Sequence, residues 1–335
     1  MKNILVTGGA GFIGSHFIRH LWMQRKSGKI INLDKLTYAG DLDNLKILER
    51  NSNYKFVRGD ICDEHLVNWI MTSNEVTHVV NFAAESHVDR SIKNSEDFVR
   101  TNIEGTRVLL DAAKKHGIEK FLQIGTDEVY GSLDKDFPSS KEFDGLYPRS
   151  PYSASKASAD LLALAYYHTH GTPACVTRSS NNYGPWQFPE KVIPLFITNI
   201  LEGKKVPVYG DGKNIRDWLH VSDNCRGIEF AMEMGIPGEI YNIGGGNELT
   251  NLELTEKILR QMGFGDGWRE QIEFVEDRKG HDRRYSLNSD KIQRAPFGSS
   301  PLMPFEIGLE GTIEWYKENE KWWKPLKEKN DKGKY

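Results

Sequence analysis

Two neighbouring carboxylates and a tyrosine–lysine pair are the side chains of this sequence best suited to chemistry. Asp127 and Glu128 follow residues 120–126, a short apolar run that predicts a buried strand. Tyr152 and Lys156 are four residues apart, so a helix would place the phenol and the ammonium on one face. Ligands of open α/β sheets bind beyond the carboxyl ends of the strands. A base, a cation and two carboxylates at such a crevice predict proton and hydride transfer.

The helix that carries the tyrosine–lysine pair is predicted to begin at Ser150, a good N-cap residue, with Pro151 in its first position. The helix N-terminus and the ammonium of Lys156 both favour the phenolate form of Tyr152. Taken alone, two adjacent acidic residues usually lie in a solvent-exposed loop. A tyrosine–lysine pair at this spacing usually lies on the exposed surface of a helix. The functional interpretation therefore depends on a glycine-rich segment at the start of the chain.

This segment follows a predicted strand at residues 3–7 and reads Gly-Gly-Ala-Gly-Phe-Ile-Gly over 8–14. Its glycines allow a tight turn, a close approach of the backbone to a pyrophosphate, and close packing of helix on strand. Asp34 ends the next predicted strand, where a carboxylate can bind the adenosine ribose and repel a 2′-phosphate. The pattern predicts dinucleotide binding with NAD favoured over NADP, although the neighbouring Lys35 weakens that preference.

Strands and helices continue to alternate as far as residue 180. Asp60 follows one strand and could meet the adenine, while Ala83 and Ala84 follow another and would let a cofactor lie against the backbone. The alternation predicts an α/β fold with a doubly wound parallel sheet, the Rossmann arrangement, and a smaller C-terminal α/β lobe. The expected domains are a dinucleotide-binding domain over 1–180, rejoined at about 215–247, a ligand-binding domain over 181–214 and 248–325, and a flexible tail over 326–335.

Composition excludes several classes of protein. The 335 residues include 44 Lys+Arg and 47 Asp+Glu, which gives a net charge of -3. The sequence therefore lacks the excess of basic residues that nucleic-acid binding would need. The three cysteines form no Cys-x-x-Cys pair, so we expect reduced thiols in the cytoplasm and neither a disulfide framework nor a metal site. The apolar runs are too short for a membrane span, and the first strand begins too early for a signal peptide.

Beyond residue 180 the chain offers candidates for a second phosphate site. Arg216 and the basic cluster over 278–285 could pair bidentately with phosphate oxygens, although arginines in surface ion pairs are equally common. Pro207 and Tyr209 could form an apolar shelf for a base, or they could be ordinary turn residues. His87 could contact a ligand, although a lone loop histidine is more often structural.

Eight segments of the sequence together resemble the dTDP-glucose 4,6-dehydratase family, a branch of the extended short-chain dehydrogenases/reductases. They are GGAGFIGS at 8–15, DKLTYAG at 34–40, AAESHVDRS at 83–91, TDEVYG at 126–131, YSASKA at 152–157, NNYGP at 181–185, RDWLHV at 216–221 and GHDRRY at 280–285. The resemblance runs from residue 1 to about 323. It implies NAD-dependent dehydration of dTDP-glucose in deoxysugar biosynthesis of the dTDP-rhamnose type, by a homodimer built from helices over 95–116 and 153–170.

The resemblance also implies a role for each chemical group. Tyr152 takes the proton of the sugar 4-hydroxyl while the C4 hydride passes to NAD, and Lys156 holds the nicotinamide ribose and lowers the pKa of the tyrosine. Thr126 hydrogen-bonds the 4-oxygen. Glu128 takes the C5 proton, Asp127 protonates the departing 6-hydroxyl, and the hydride returns to C6. Elimination needs one charged and one protonated carboxylate, which neighbouring like charges in a partly dry site favour.

Binding residues for both ligands follow from the same resemblance. Those expected around NAD are Gly8, Gly11, Phe12, Ile13, Gly14, Asp34, Lys35, Leu36, Thr37, Asp60, Ile61, Phe82, Ala83, Ala84, Ser86, Thr101, Tyr152, Lys156 and Asn182. Those expected around the nucleotide sugar are His87, Thr126, Asn181, Lys191, Val192, Pro207, Tyr209, Arg216, Asn251, Asp277, Arg278 and His281.

Two departures from the family and three alternatives remain at this point. Lys279 stands where the family usually has proline, and residues 295–302 lack its usual Leu-Gly-Trp pattern, so the contacts of the second domain are the less certain part. A related dehydratase could act on another nucleotide sugar. A 4-epimerase would need the tyrosine and the lysine but not the acidic pair. A non-catalytic NAD-binding scaffold should show a broken Tyr-x-x-x-Lys or Thr-Asp-Glu segment, and both are intact.

Overall fold

The computed structural model describes residues 2–24, 28–277, 280–294 and 302–331. Its strands in these residues are β1 (Ile4–Thr7), β2 (Ile30–Asp34), β3 (Tyr54–Arg58), β4 (His78–Asn81), β5 (Lys120–Thr126), β6 (Ala174–Ser179), β7 (Asn181–Tyr183), β8 (Val206–Tyr209), β9 (Ile215–His220), β10 (Ile240–Ile243), β11 (Glu248–Thr250) and β12 (Ile272–Val275). Its α-helices there are α1 (Phe12–Gln24), α2 (Glu64–Ser73), α3 (Val88–Lys93), α4 (Glu96–Phe98), α5 (Thr106–His116), α6 (Pro151–His170), α7 (Val192–Leu201), α8 (Val221–Met234), α9 (Asn251–Gln261), α10 (Asp290–Gln293), α11 (Phe305–Glu318) and α12 (Glu320–Asp331).

The main sheet of the described chain has seven strands in the order β10-β6-β5-β4-β1-β2-β3. All of its pairings are parallel, and successive strands are added outward from β1 in both directions. The point where the order reverses, between β1 and β4, is where a doubly wound sheet opens a crevice for a ligand. The predicted doubly wound parallel α/β fold is confirmed.

Helices cover both faces of this sheet. One face packs against α1 and α8, around the buried side chains of Phe17, Leu21 and Ile228. The other packs against α2, α5 and α6, around Val67, Leu109 and others. Every residue of β1, β2, β4 and β6 is buried, as in parallel strands that helices cover on each face. Every helix in the described part of the chain is too short or too polar to cross a bilayer.

A second group of elements forms its own core. It contains a three-stranded sheet, β11-β9-β7, and a two-stranded sheet, β12-β8. Together with α7, α9 and α11 they bury the aromatic side chains of Tyr183, Trp218, Trp268 and Tyr316. Between these segments the chain returns to the main sheet, because α8 packs against α1 and β10 pairs with β6.

The C-terminal segment differs from its prediction. The helix α12 continues to Asp331, whereas we expected a frayed tail from residue 326. The reason is Lys327, whose buried ammonium donates hydrogen bonds to Thr198, Asn199 and Glu202 at 3.0, 2.7 and 2.9 Å. A lysine-rich sequence does not reveal that one of its lysines docks on another helix.

Candidate functional site

A cleft opens at the carboxyl ends of the main-sheet strands, and we call it the sheet cleft. All but one of the residues predicted to surround NAD line it: Gly8, Gly11, Phe12, Ile13, Gly14, Asp34, Lys35, Thr37, Asp60, Ile61, Phe82, Ala83, Ala84, Ser86, Thr101, Tyr152, Lys156 and Asn182. Leu36 lies outside its walls, and its backbone N–H instead donates to Asp34 at 2.8 Å.

The glycine-rich turn, which we call the glycine cradle, packs so closely against neighbouring backbone that it leaves no space for side chains at two positions. Gly8 has a φ of +66°, and a Cβ there would lie 2.6 Å from the backbone nitrogen of Ala83. A Cβ on Gly14 would lie 2.4 Å from the carbonyl oxygen of Gly8. Gly8, Gly11 and Gly14 line the sheet cleft at the N-terminus of α1, a position that suits a pyrophosphate. These residues fit a dinucleotide.

Asp34 ends β2 at the predicted ribose position, and its carboxylate also fixes two loops. One oxygen accepts from the backbone N–H of Ala10 at 2.9 Å, and the other from that of Leu36. Burial raises the pKa of Asp34, and these two hydrogen bonds oppose the rise. Lys35 next to it pairs with Asp60 at 2.9 Å, so its ammonium is directed to the predicted adenine end.

The residues predicted to be catalytic all line the sheet cleft: Thr126, Asp127, Glu128, Tyr152 and Lys156. Thr126 ends β5 and caps the 3₁₀ turn Asp127–Tyr130, where its hydroxyl accepts from the backbone N–H of Glu128 at 3.4 Å. The same hydroxyl donates to Asp127 Oδ1 at 3.2 Å. This turn presents two consecutive carboxylates to the cleft.

The helix α6 presents the tyrosine and the lysine. Ser150 caps it through a reciprocal pair of hydrogen bonds with Ser153, and Pro151 occupies its first position. A π-helical turn, Val99–Gly105, interrupts what we expected to be one regular helix over 95–116. Within this turn Asn102 donates to Ser155 on α6 at 2.8 Å and to the carbonyl of Glu85 at 3.0 Å. It thereby connects α6 to the loop after β4.

The two carboxylates differ in their surroundings. Asp127 is 4% exposed, and its Oδ2 makes no hydrogen bond to any described residue. Burial raises the pKa of Asp127 well above its usual range, and the neighbouring Glu128 adds to the rise, while Arg216 opposes it. Burial thus favours the protonated form of this carboxyl group, which suits a general acid.

The pKa of Tyr152 differs from the prediction. Burial raises the pKa of its phenol, and Glu128 and Asp127 raise it further, while hydrogen bonding to Thr126 lowers it. The net direction is therefore opposite to the lowered pKa that we expected. The Lys156 ammonium donates to the carbonyl of Ile124 at 2.5 Å. Burial lowers the pKa of Lys156 to about 8. The phenolate thus needs further positive charge in the cleft.

A second cavity adjoins the sheet cleft and shares Ser86, Glu128, Asn181, Asn182, Gln187, Glu190 and Lys191 with it. Of the residues predicted to bind the nucleotide sugar, it is lined by His87, Asn181, Lys191, Val192, Pro207, Tyr209, Arg216, Asn251 and His281. Thr126 belongs to the sheet cleft alone. Asp277 lies outside the walls and accepts from His281 Nδ1 at 2.6 Å. Arg278 falls outside the described residues.

Arg216 joins the second cavity to the acidic pair. Its guanidinium donates to the carbonyl of Asp282 at 3.0 Å and lies 4.2 Å from the ring centre of Tyr285. The phenol of Tyr285 donates to Asp282 Oδ2 at 2.5 Å, and Glu128 contributes to raising its pKa. The cation therefore lies within electrostatic reach of Asp127. One end of the second cavity thus meets the reacting groups.

Known proteins match this chain over nearly its whole length. The sequence model of the GDP-mannose 4,6 dehydratase family matches residues 5–310. A dTDP-glucose 4,6-dehydratase from Streptomyces niveus is 52% identical over 328 residues, which cover 97% of this chain and 95% of the relative. This chain belongs to the dTDP-glucose 4,6-dehydratase family.

Solved structures agree with this membership. The dTDP-glucose 4,6-dehydratase from Streptomyces venezuelae, crystallised with NAD bound, is 49% identical with a TM-score of 0.92. The match covers 97% of this chain and 99% of the Streptomyces chain. The UDP-glucose 4-epimerase from Thermotoga maritima is 32% identical with a TM-score of 0.85. The match covers 94% of this chain and 99% of the epimerase chain. The fold is thus shared with 4-epimerases, so the fold alone does not distinguish the two activities.

Sequence reasoning left Glu190 without a role, although it lines both cavities. Its carboxylate is 4% exposed and accepts from the hydroxyl of Tyr38 at 2.8 Å and from Arg90 Nη2 at 3.3 Å. His87 Nε2 lies 3.6 Å from it. Tyr38 follows β2 and Arg90 is on α3, while Glu190 precedes α7, so this contact joins the cofactor side to the substrate side. The Phe-Pro-Glu-Lys segment was its only signal.

A buried ion pair behind the cleft was also missed. Asp160 lies one helical turn beyond Lys156 and accepts from Arg178 Nε at 2.9 Å. Its carboxylate fits beneath β5 because Gly125 has no side chain, since a Cβ there would lie 2.9 Å from an Asp160 oxygen. Asp160 opposes the lowering of the Lys156 pKa that burial causes. No motif marked this pair, because its members lie 18 residues apart.

Proposed function

We propose that this protein converts dTDP-glucose to dTDP-4-keto-6-deoxyglucose with NAD as a bound cofactor. The observation that carries the proposal is the acidic pair, the buried Asp127 and the partly buried Glu128, in the same cleft as Tyr152 and Lys156. A 4-epimerase needs no such pair. The name and the high identity of the relatives support the substrate.

The cofactor, when bound, supplies a reversible acceptor for the hydride of the sugar and the positive charge of its oxidised ring. Gly8 and Gly14 line the cleft where its pyrophosphate would lie, and the carboxylate of Asp34 is placed for its adenosine ribose. Lys156 holds the other ribose. Its charge and that of the oxidised ring favour the phenolate of Tyr152, against the effect of burial.

The residues of the chain divide the proton transfers among themselves. Tyr152 accepts the proton of the sugar 4-hydroxyl, and Thr126 hydrogen-bonds the 4-oxygen. The 4-ketone acidifies the proton at C5, which Glu128 accepts as base and later returns to C5. Asp127 is the acid that protonates the 6-hydroxyl, so that it departs as water. Opposite roles for adjacent carboxylates require different protonation states, which the burial of Asp127 provides.

The second cavity holds the nucleotide end of the substrate under this proposal. Arg216, Lys191 and His281 supply positive charge or donors for the two phosphates, and Pro207 with Tyr209 forms the shelf for the base. The predicted domain division is kept as part of the proposal with one change, because β9, which carries Arg216, pairs with β7 and β11. Residues 181–220 and 248–325 bind the nucleotide sugar, and the remainder up to 247 binds NAD.

A direct assay tests the proposal. Purified protein is incubated with NAD and dTDP-glucose, and the nucleotide sugar is followed by mass spectrometry. Loss of one water with no net reduction of NAD is the expected result. Reaction only with a UDP, CDP or GDP sugar would assign a different nucleotide sugar as the substrate and leave the proposed mechanism unchanged. An isomer of unchanged mass would indicate an epimerase, and inertness with NAD bound would indicate a scaffold.

We also propose a homodimer that uses the helical stretch over 96–116 and α6. Val99 and Leu161 on these elements are 52% and 55% exposed, which is unusual for apolar side chains unless a partner covers them. Light scattering should give twice the chain mass, and Leu161→Asp should give a monomer.

We further propose a cytoplasmic location, which suits the cysteines, since Cys62, Cys175 and Cys225 are all free thiols. The product would enter deoxysugar biosynthesis of the dTDP-rhamnose type.

A further inference from the structure

The buried arginine of the second cavity differs from a neighbouring arginine in its partners. Arg284 is equally buried and forms an ion pair with Glu248 at 2.6 Å. Within the described part of the chain, the guanidinium of Arg216 forms no ion pair and hydrogen-bonds to two backbone carbonyls, that of Ile215 at 2.7 Å and that of Asp282 at 3.0 Å. Buried charges are usually compensated by a charge of opposite sign. Arg216 therefore carries positive charge that a bound anion can neutralise.

The aromatic ring of Tyr285 covers one face of this guanidinium. The guanidinium carbon of Arg216 lies 4.2 Å from the ring centre, a distance at which a cation and an aromatic ring attract each other. Tyr285 is buried and lines the second cavity together with Arg216. The ring fixes the plane of the guanidinium, and the two carbonyls fix its rotation within that plane. The remaining N–H groups of Arg216 are thus held in one orientation at the wall of the cavity.

Asp282 holds both members of this stack. Its backbone carbonyl accepts from Arg216, and its carboxylate accepts from the phenol of Tyr285 at 2.5 Å. Backbone hydrogen bonds join the same two segments, because Ile215 N–H donates to the carbonyl of Arg283 at 2.8 Å and Tyr285 N–H to that of Ile215 at 3.2 Å. The start of β9 and the segment that carries Asp282 and Tyr285 are therefore fixed to each other.

We propose that Tyr285 and Asp282 form a clamp that holds the guanidinium of Arg216 ready for a phosphate group, which makes Tyr285 a positioning residue for substrate recognition. This role rests on the proposed function, in which Arg216 binds the diphosphate of the nucleotide sugar. A mobile arginine loses rotational freedom when it binds an anion, and that loss lowers the affinity. The clamp imposes the loss during folding, so the ligand meets a guanidinium whose geometry already matches a phosphate.

Two substitutions of Tyr285 separate the parts of the clamp. Tyr285→Phe keeps the ring and removes the hydrogen bond to Asp282, whereas Tyr285→Leu removes the ring as well. Each is made in the wild-type protein and in Arg216→Ala, and every variant is loaded with NAD. Titration calorimetry measures the affinity for dTDP, and steady-state kinetics with dTDP-glucose give KM and kcat. Tyr241→Leu is the matched control, because Tyr241 is also buried, has Lys291 Nζ 4.4 Å from its ring centre and lies outside the walls of both cavities.

The clamp predicts that Tyr285→Leu weakens dTDP binding and raises the KM by about 10-fold, with kcat and the affinity for NAD unchanged. Tyr285→Phe should have a smaller effect, about 3-fold, because the stack remains and only its hydrogen bond to Asp282 is lost. In Arg216→Ala neither substitution should weaken dTDP binding further, because no guanidinium is left to position. Tyr241→Leu should leave all of these values unchanged.

A loss of dTDP affinity from Tyr285→Leu that is equal in both backgrounds would overturn the clamp, because the ring would then contact the ligand directly. Unchanged dTDP affinity in both Tyr285 variants would overturn it as well. If circular dichroism and bound NAD show that Tyr285→Leu does not fold, Tyr285→Phe gives the same comparison of the two backgrounds. Absence of dTDP binding by the wild-type protein would refute the nucleotide site of the proposed function and the clamp with it.

Discussion

The two halves of the site are built from different parts of the polypeptide. The cofactor half is made largely by backbone: the glycine cradle at 8–14, and the N–H groups of Ala10 and Leu36 that hold Asp34. The nucleotide half is made by long side chains such as Arg216 and His281, which come from separate strands and loops. A backbone site depends on a short contiguous segment. A side-chain site depends on how distant segments are packed together.

Substitutions of the residues where the two halves meet should slow the reaction without weakening the binding of either ligand. Tyr152→Phe removes the acceptor of the 4-hydroxyl proton, and turnover should fall by about a thousand-fold, within the range of general acid–base catalysis. NAD and dTDP-glucose should bind as before, which equilibrium dialysis can measure. Full activity in this variant would remove Tyr152 from the mechanism.

Glu128→Gln should separate oxidation from elimination. The amide cannot accept the C5 proton, so turnover should fall by roughly a hundred-fold. Because the preceding step is intact, reduced cofactor should accumulate in a single turnover, visible as nicotinamide absorbance in a stopped-flow instrument. If no such absorbance develops, Glu128 acts earlier than proposed. Glu310→Gln, at an exposed position of α11 outside the walls of both cavities, is the matched control.

Arg216→Ala tests the nucleotide half. Loss of charge-assisted hydrogen bonds of about 1.5–3 kcal/mol should raise the KM for dTDP-glucose by roughly 10–100-fold and leave NAD affinity unchanged. Arg283→Ala is the control, because Arg283 is 48% exposed and pairs with Asp211 at the surface. Equal effects of the two substitutions would contradict the assignment of Arg216.

Gly14→Ala tests the cofactor half by a change of one methyl group. Its Cβ would lie 2.4 Å from the carbonyl oxygen of Gly8, so the turn must shift at a cost of about 1–3 kcal/mol. NAD affinity, measured by titration calorimetry, should fall by about ten-fold. Gly311→Ala, on α11 with no atom within 4 Å of the new Cβ, should leave it unchanged. Similar NAD affinity in both variants would argue against a backbone-made site.

Asp34→Ala should give the smallest effect. The affinity for NAD should fall by about five-fold, for a lost hydrogen bond of about 1 kcal/mol, while that for NADP falls less or rises. Competition binding of the two cofactors measures the ratio. Asp43→Ala, an exposed carboxylate outside the sheet cleft, should not change it. An unchanged preference in Asp34→Ala would leave the loop contacts as the main role of Asp34.

The sequence by itself determined the fold and the reacting groups. Alternation of strand and helix is a local pattern, and the glycines, the Thr-Asp-Glu turn and the Tyr-x-x-x-Lys face are each encoded within a few residues. Such features depend on backbone geometry, which neighbouring residues set. For this reason β5, α6 and the cradle were predicted close to their observed bounds.

Only the tertiary structure decided the contacts and charges that tie these parts together. Glu190 reaches Tyr38 across 152 residues of chain, and Lys327 reaches Thr198 across 129. The predicted lowering of the Tyr152 pKa was wrong because local spacing shows the nearby lysine but not the burial of the phenol or the carbonyl that takes the ammonium. Burial and long-range pairing are properties of packing, and packing brings together residues whose separation in sequence carries no signal.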